Sequence, residues 1–242
     1  MKNNILVFDI WADYGHFKKP YTTTSPLTYS MPSCTALAGM VSAIIGLDKR
    51  EYSSFFGNGM AGFGISLLRP VKKVRISENL INTKKSMNRI YERTQIKFEF
   101  LKDPSYRIYF RHSDEDIYSA LKAMLEKHKS VYTLSMGLSQ LLANYGFVGE
   151  YESVDIEGSR EFKEFACALP AGLLGRGDVN FRNDGEYFTE RLPLEMNNDR
   201  LVKSYGDVLF ERCCGRIAAR LGKYIDIKGL EESISLILDG GK

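Results

Sequence analysis

The chain has 242 residues with 44% hydrophobic and 26% charged content, which allows one large domain or two small ones around an ample core. No apolar run is long enough to cross a bilayer, and Met1-Lys2-Asn3-Asn4 leads into an apolar strand rather than a signal peptide, so no membrane association and a cytoplasmic location are expected. Cys34, Cys167, Cys213 and Cys214 show no CxxC spacing, which argues against a zinc cage or disulfide framework and for reduced thiols; no metal and no cofactor are expected.

Net charge is only +3, but its distribution is uneven. The window from Lys72 to Lys97 holds eight basic residues against two acidic ones, Glu78 and Glu92. A basic segment on a mildly acidic body is a footprint for a polyanion.

Ile5 to Trp11 alternates, with Leu6, Phe8 and Ile10 on one face, and predicts a first strand. A long loop follows, from Asp13 to Ser33, rich in lysine, tyrosine and hydroxyls and stiffened by Pro20, Pro26 and Pro32. Such residues suit phosphate and sugar oxygens and base faces; the same composition suits an ordinary surface loop. Ser33 caps a predicted helix to Ile45, with a stripe of Leu37, Met40, Val41 and Ile44 and a stop at Gly46. Gly39 inside it is either a close-approach site or a tolerated glycine.

Asp48 to Phe56 predicts a short helix, and Phe63 to Ile76 a long strand interrupted at Pro70. Asn79 to Asn88 has no strong period and reads as a projecting hairpin or arm, or as a solvated lysine-rich loop. Gln95 to Leu101 alternates with Ile96, Phe98 and Phe100 facing in, and Tyr106 to Arg111 returns after a turn at Pro104. On that returning strand Arg107, Tyr109 and Arg111 form a face suited to RNA or to solvent. Ser113-Asp114-Glu115-Asp116 opens a helix through Leu125, with His128 in a structural role near its end.

Tyr132 to Asn144 reads as a turn with a short helix, and Tyr145 to Ile156 as a strand. The order strand, helix, strand, strand, helix, strand is the ferredoxin-like order shared by RRM domains. After Gly158, Phe162–Leu169, Glu186–Arg191 and Val208–Arg212 are strand candidates, and Leu230 to Leu238 is ambiguous between helix and strand. The Gly172–Gly177 turn with Arg176 lacks the lysine and hydroxyl of a P-loop, so nucleotide hydrolysis is not supported. Arg212, Arg216, Arg220 and Lys223 make a second basic cluster.

No motif for nucleophilic or metal catalysis is present. A metal-free ribonuclease needs a base, an acid and a cation, which His16, Tyr14 or Tyr29, and Lys18 would supply; a loop histidine beside Phe17 more often packs.

Phe8-Asp9-Ile10-Trp11, the run His16-Phe17-Lys18-Lys19-Pro20-Tyr21-Thr22-Thr23-Thr24-Ser25-Pro26-Leu27-Thr28-Tyr29, Pro32-Ser33 and Ala36-Leu37-Ala38-Gly39 resemble the start of a CRISPR-associated protein, Cas family five, in its type I-B variant. Arg93 to Leu101 and Pro104 to Tyr109 resemble that family's next block. The resemblance implies an α+β fold of the RAMP superfamily, a ferredoxin-like or RRM domain over residues 1–157 with a basic β-hairpin thumb at about 72–97, and a smaller C-terminal β region over 158–242. It implies a non-catalytic subunit of the Cascade surveillance complex that caps the 5′ handle of the guide RNA (crRNA), contacts the large and backbone subunits, and meets target DNA only through the complex. Type I-C members cut precursor RNA, which makes the endoribonuclease the rival reading. The RNA contacts expected are Lys18, Lys19, Arg89, Arg93 and Lys97 on phosphates, Tyr21 and Tyr29 on bases, and Thr22, Thr23, Thr24, Ser25, Thr28, Thr94 and Gln95 as hydrogen-bonding partners.

Overall fold

The computed structural model describes residues 4–22, 24–48, 50, 52–57, 59–82, 88–90, 92–158 and 161–238. Thr23, Lys84 and Lys85 therefore lie outside the described residues. The fold is mixed α and β, mostly sheet with few helices.

Strand β1 (Asn4–Ala12) is the central element. It pairs antiparallel with β6 (Ser105–His112) on one side and β7 (Ala143–Glu157) on the other, and β6 pairs antiparallel with β3 (Ala61–Leu67). The order β7-β1-β6-β3 is bridged by two helices, α1 (Cys34–Ile45) and α3 (Glu115–Glu126). Leu6, Phe8 and Ile10 pack with the stripe Leu37, Met40, Val41 and Ile44 of α1 and with Leu121 and Leu125 of α3. Ser33 caps α1 by accepting from the Ala36 amide at 3.2 Å, and Gly46 ends it at φ 85°, a left-handed conformation that favours glycine. Asp114 caps α3 by accepting from the Asp116 amide at 2.9 Å. The second helix, α2, is shorter than expected, at Tyr52–Phe56.

Ile5 and Val7, on the opposite face of β1, are equally buried, because the C-terminal strands cover that face. From β7 the sheet continues through β14 (Lys223–Ile227), β15 (Glu232–Ile234), β8 (Lys163–Phe165), β13 (Ile217–Ala219) and β10 (Val179–Asn180). The segment after β15 reaches the opposite edge strand, β3: the Phe63 amide donates to the Leu238 carbonyl at 3.0 Å, and the Ile237 amide to the Phe63 carbonyl at 2.7 Å. Leu230 to Leu238 thus resolves as strand and bridge rather than helix.

This corrects the reading of Arg107, Tyr109 and Arg111 as an RNA-facing set. Tyr109 is fully buried, and its hydroxyl donates to Glu232 at 2.7 Å. Arg107 forks onto Asp9 at 2.8 and 3.1 Å, and Arg111 reaches Asp155 at 2.9 Å. The charges of that face hold the C-terminal strands down rather than waiting for a ligand.

The run Phe63 to Ile76 forms two strands in different sheets, because the chain turns at Leu68–Pro70. Its second part, β4 (Lys73–Ile81), pairs with β5 (Arg93–Lys102) in a long antiparallel hairpin, and β2 (Tyr14–Gly15) adds to the foot of β5. A third sheet joins β11 (Tyr187–Met196), β12 (Val202–Glu211) and β9 (Leu169–Pro170), with a single-turn helix following at Ala171–Leu173. Among the described residues of 132–142 there is no helix, only a bridge between Ser135 and Leu142. His128 stacks on Tyr145 with ring centroids 4.8 Å apart, a structural role as expected.

Candidate nucleic-acid interface

The loop after β1 folds back on itself as a small irregular hairpin. The Lys19 amide donates to the Leu27 carbonyl at 2.9 Å, the Tyr29 amide to the Phe17 carbonyl at 2.8 Å, and Lys18 bridges Thr28. Hydroxyls supply the remaining pairing that a prolyl-rich segment lacks. The Thr28 hydroxyl accepts from the Phe17 amide at 2.9 Å and donates to the Tyr29 carbonyl, and the Thr22 hydroxyl donates to the Lys19 carbonyl at 2.8 Å. Gly137, at φ +97°, lies against the loop so closely that a Cβ there would stand 2.0 Å from the His16 carbonyl oxygen.

The loop also sits on the foot of the hairpin. The Glu99 amide donates to the Pro26 carbonyl at 3.0 Å, the Thr28 amide to the Glu99 carboxylate at 3.3 Å, and the Lys73 ammonium to the Thr28 carbonyl at 2.9 Å. From the third sheet Glu190 reaches in. Its carboxylate accepts from the Ser30 amide at 2.7 Å, the Ser30 hydroxyl at 3.2 Å and the Lys19 ammonium at 3.0 Å, with Lys73 at 3.7 Å. Burial is the largest single influence on the Lys19 pKa and works to lower it, but the Glu190 charge and hydrogen bond together with Tyr21 outweigh it, so the net shift is upward. Glu190 was visible in sequence only as part of a strand candidate; the 160-residue separation from Ser30 leaves no local signal.

These contacts divide the expected RNA contacts. Thr28 is fully buried and Tyr29 is 5% exposed, its ring beneath the Lys19 ammonium at 5.3 Å. Burial pushes the Tyr29 hydroxyl up to about 12. Neither has an open face for a base or a sugar, so both are framework residues of the loop, a correction to their assignment as ligand contacts. Lys19 is held by Glu190. Lys18, Tyr21, Thr24 and Ser25 remain exposed, Tyr21 at 72%, and Thr22 is half-buried.

His16 is 2% exposed. Its Nδ1 lies 2.7 Å from the Glu99 carbonyl oxygen, and a carbonyl only accepts, so Nδ1 carries the proton. Nε2 is buried without a partner among the described residues, and the ring centroid lies 5.6 Å from those of both Phe98 and Phe100. Burial lowers the His16 pKa despite the Glu99 hydrogen bond, which favours the charged form. Of the set His16, Tyr14 or Tyr29, and Lys18, His16 and Tyr29 are enclosed in the fold while Tyr14 and Lys18 lie at the surface.

The β4–β5 hairpin has two unlike faces, set by its register. Val74 opposes Phe100, Ile76 opposes Phe98 and Leu80 opposes Thr94, so apolar residues share one face. Arg75 opposes Glu99, Ser77 opposes Lys97, Asn79 opposes Gln95 and Ile81 opposes Arg93, so the other face is basic and amide-rich. Arg75, Arg93, Thr94, Gln95 and Lys97 are exposed, as is Arg89 beyond the strand, and among the described residues none of these cations is drawn into an ion pair. The second basic cluster differs: Arg212 forks onto Glu186 at 2.6 and 2.7 Å, and Arg220 covers the Phe162 ring at 4.5 Å. Among the described residues no group of histidine, cysteine and carboxylate side chains is arranged to hold a metal ion, and no helix is long and apolar enough to cross a membrane.

Comparison with solved structures shows what this fold resembles. A CRISPR protein from Archaeoglobus fulgidus superposes with a TM-score of 0.57 at 16% identity, over 96% of this chain and 97% of that one. A chain of a CRISPR RNA-guided surveillance complex superposes with a TM-score of 0.53 at 10% identity, over 89% and 91% of the two chains. No curated relative matches in sequence. The family described as CRISPR-associated protein (Cas_Cas5) matches residues 5–124, the segment that runs from β1 through α1 and the basic hairpin into α3. Over those residues, just under half of its length, the chain is similar to the CRISPR-associated protein (Cas_Cas5) family.

Proposed function

We propose that this protein is a non-catalytic guide-RNA-binding subunit of a type I CRISPR surveillance complex, of the type I-B variant, which caps the 5′ handle of crRNA and bridges the large and backbone subunits. In this reading the order β7-β1-β6-β3 with two helical crossovers is the ferredoxin-like core of a RAMP domain, the β4–β5 hairpin is its thumb, and residues 158–242 form the C-terminal β region. The family match over residues 5–124 and the fold similarity to a surveillance-complex chain support RNA as the ligand.

The observation that carries the proposal is the uncommitted basic face of Arg75, Arg93 and Lys97 rising from the place where the loop of Lys18, Tyr21, Thr24 and Ser25 is anchored. Cations with no ion-pair partner among the described residues, beside exposed aromatic and hydroxyl groups, suit a single strand whose phosphates are neutralised and whose bases are splayed. Electrophoretic shifts with handle RNA against a scrambled sequence test it: a preferential, salt-sensitive shift is expected. No shift with either RNA, even inside the assembled complex, favours a scaffold role instead.

The enclosed His16 and Tyr29 support the non-catalytic form of the proposal over precursor cleavage. Incubation with precursor repeat RNA in EDTA decides between them. No site-specific cut is expected, and cuts abolished by His16→Ala would establish the endoribonuclease.

A further inference from the structure

Between Lys19 and Ser30 of the loop, Lys73 at the foot of β4, and Phe188, Phe210 and Arg212 on the third sheet lies a cavity of about 570 Å³. Phe188 is 48% exposed and stacked on Phe210, with centroids 6.1 Å apart and an interplanar angle of 27°, so one ring face is supported from behind while the side chain borders the cavity. The cations around it are already answered. Lys19 and Lys73 face Glu190 and Glu99, and Arg212 is forked onto Glu186. A free phosphate would have to displace Glu190 from Lys19 and from the Ser30 amide, whereas a flat, uncharged group with polar edges meets no such cost.

We infer that this cavity is a pocket for one extruded nucleobase of the bound RNA strand, stacked on Phe188. It rests on the RNA-binding reading above. The volume lies in the range of small-ligand sites, roughly 300–1,000 Å³, with room for one nucleoside. The foot of the basic hairpin forms one wall, so a strand whose phosphates follow Arg75 and Lys97 passes its mouth. Base stacking on an aromatic side chain tolerates any base, so the pocket contributes affinity rather than strict sequence choice.

The test is fluorescence anisotropy of a labelled single-stranded handle RNA with the full chain, comparing wild type, Phe188→Ala, Phe188→Leu, Phe188→Tyr and Lys97→Ala. Phe188→Leu keeps hydrocarbon against Phe210 while removing the aromatic face, and thermal melts report whether each variant is folded. Loss of one stacked base predicts binding weaker by about five- to a hundredfold in Phe188→Ala and Phe188→Leu, near-complete retention in Phe188→Tyr, and an unchanged dependence on salt. Lys97→Ala should instead lower the salt dependence. If wild type binds and Lys97→Ala weakens it while both Phe188 truncations bind like wild type, the pocket inference falls and the RNA reading stands. The same result with weakened complex assembly would give the cavity to a partner protein and overturn the inference equally. If wild type binds no RNA, both readings fall.

Discussion

The loop of residues 13–33 and the β4–β5 hairpin are built from similar residues, and the fold uses them differently. In the loop, Lys19, Thr28 and Tyr29 are held by Glu190, by the Phe17 backbone and by burial. In the hairpin, Arg75, Arg93 and Lys97 stand on an exposed face with no ion-pair partner among the described residues. A side chain whose hydrogen bonds are spent inside the protein shapes a surface, and one whose hydrogen bonds are unspent can bind. Composition makes the two segments look equivalent; only the partners separate them.

The largest effect that would sharpen this contrast is on binding. Replacing Arg75, Arg93 and Lys97 together by alanine should weaken RNA binding by about a thousandfold at low salt, at about 1.5 kcal/mol or more per charge-assisted contact. It should lower the magnitude of the log–log salt slope by about 2 and shift stability by no more than about 0.5 kcal/mol. A large loss of stability would show that the hairpin cations are framework residues after all.

In the loop the order of effects reverses. Gly137→Ala drives a Cβ into the His16 carbonyl and should cost about 3 kcal/mol in urea unfolding. Glu190→Gln weakens the tie between loop, hairpin foot and third sheet and should cost about 2 kcal/mol, with a smaller change in RNA affinity than the hairpin variant shows.

His16 gives the loop a pH signature. Its folded pKa lies below the ordinary value of 6.5, so the unfolded chain binds the proton more readily and stability is full above about 6.5. As pH falls from there toward the depressed folded value, stability should decline by no more than about 1.4 kcal/mol per pH unit, and His16→Gln should flatten that portion of the curve. A curve unchanged by the substitution would contradict the enclosed, neutral imidazole. Smallest of all, Gly39→Ala should stabilise by about 0.5–1 kcal/mol, since a Cβ there meets nothing within 4 Å among the described residues of the lone chain. This resolves Gly39 as a tolerated glycine within the isolated protein.

What could be read from sequence was what is local. The alternation of β1, the Ser33 and Gly46 ends of α1, the Asp114 cap of α3 and the Phe98 and Phe100 face of β5 are all written within a few residues. What could not be read depended on distant pairing. The face of Arg107, Tyr109 and Arg111 looks open until Glu232 and Asp155 arrive from far along the chain. Tyr29 looks like a stacking residue until Glu190 folds over its loop. The long β11–β12 hairpin was visible only at Glu186–Arg191 and Val208–Arg212, because Pro193, which pairs with Tyr205, and Gly206, which pairs with Leu192, read as breakers in one dimension.

The central claim is that the loop and the basic hairpin, joined at the hairpin's foot, close on one end of an RNA strand. Ultraviolet crosslinking of handle RNA in the purified complex, mapped by mass spectrometry, tests it most directly. Crosslinks concentrated in residues 18–25 and 73–97 are the expected result. Crosslinks confined to α3 or to the C-terminal strands, with the hairpin untouched, would contradict it.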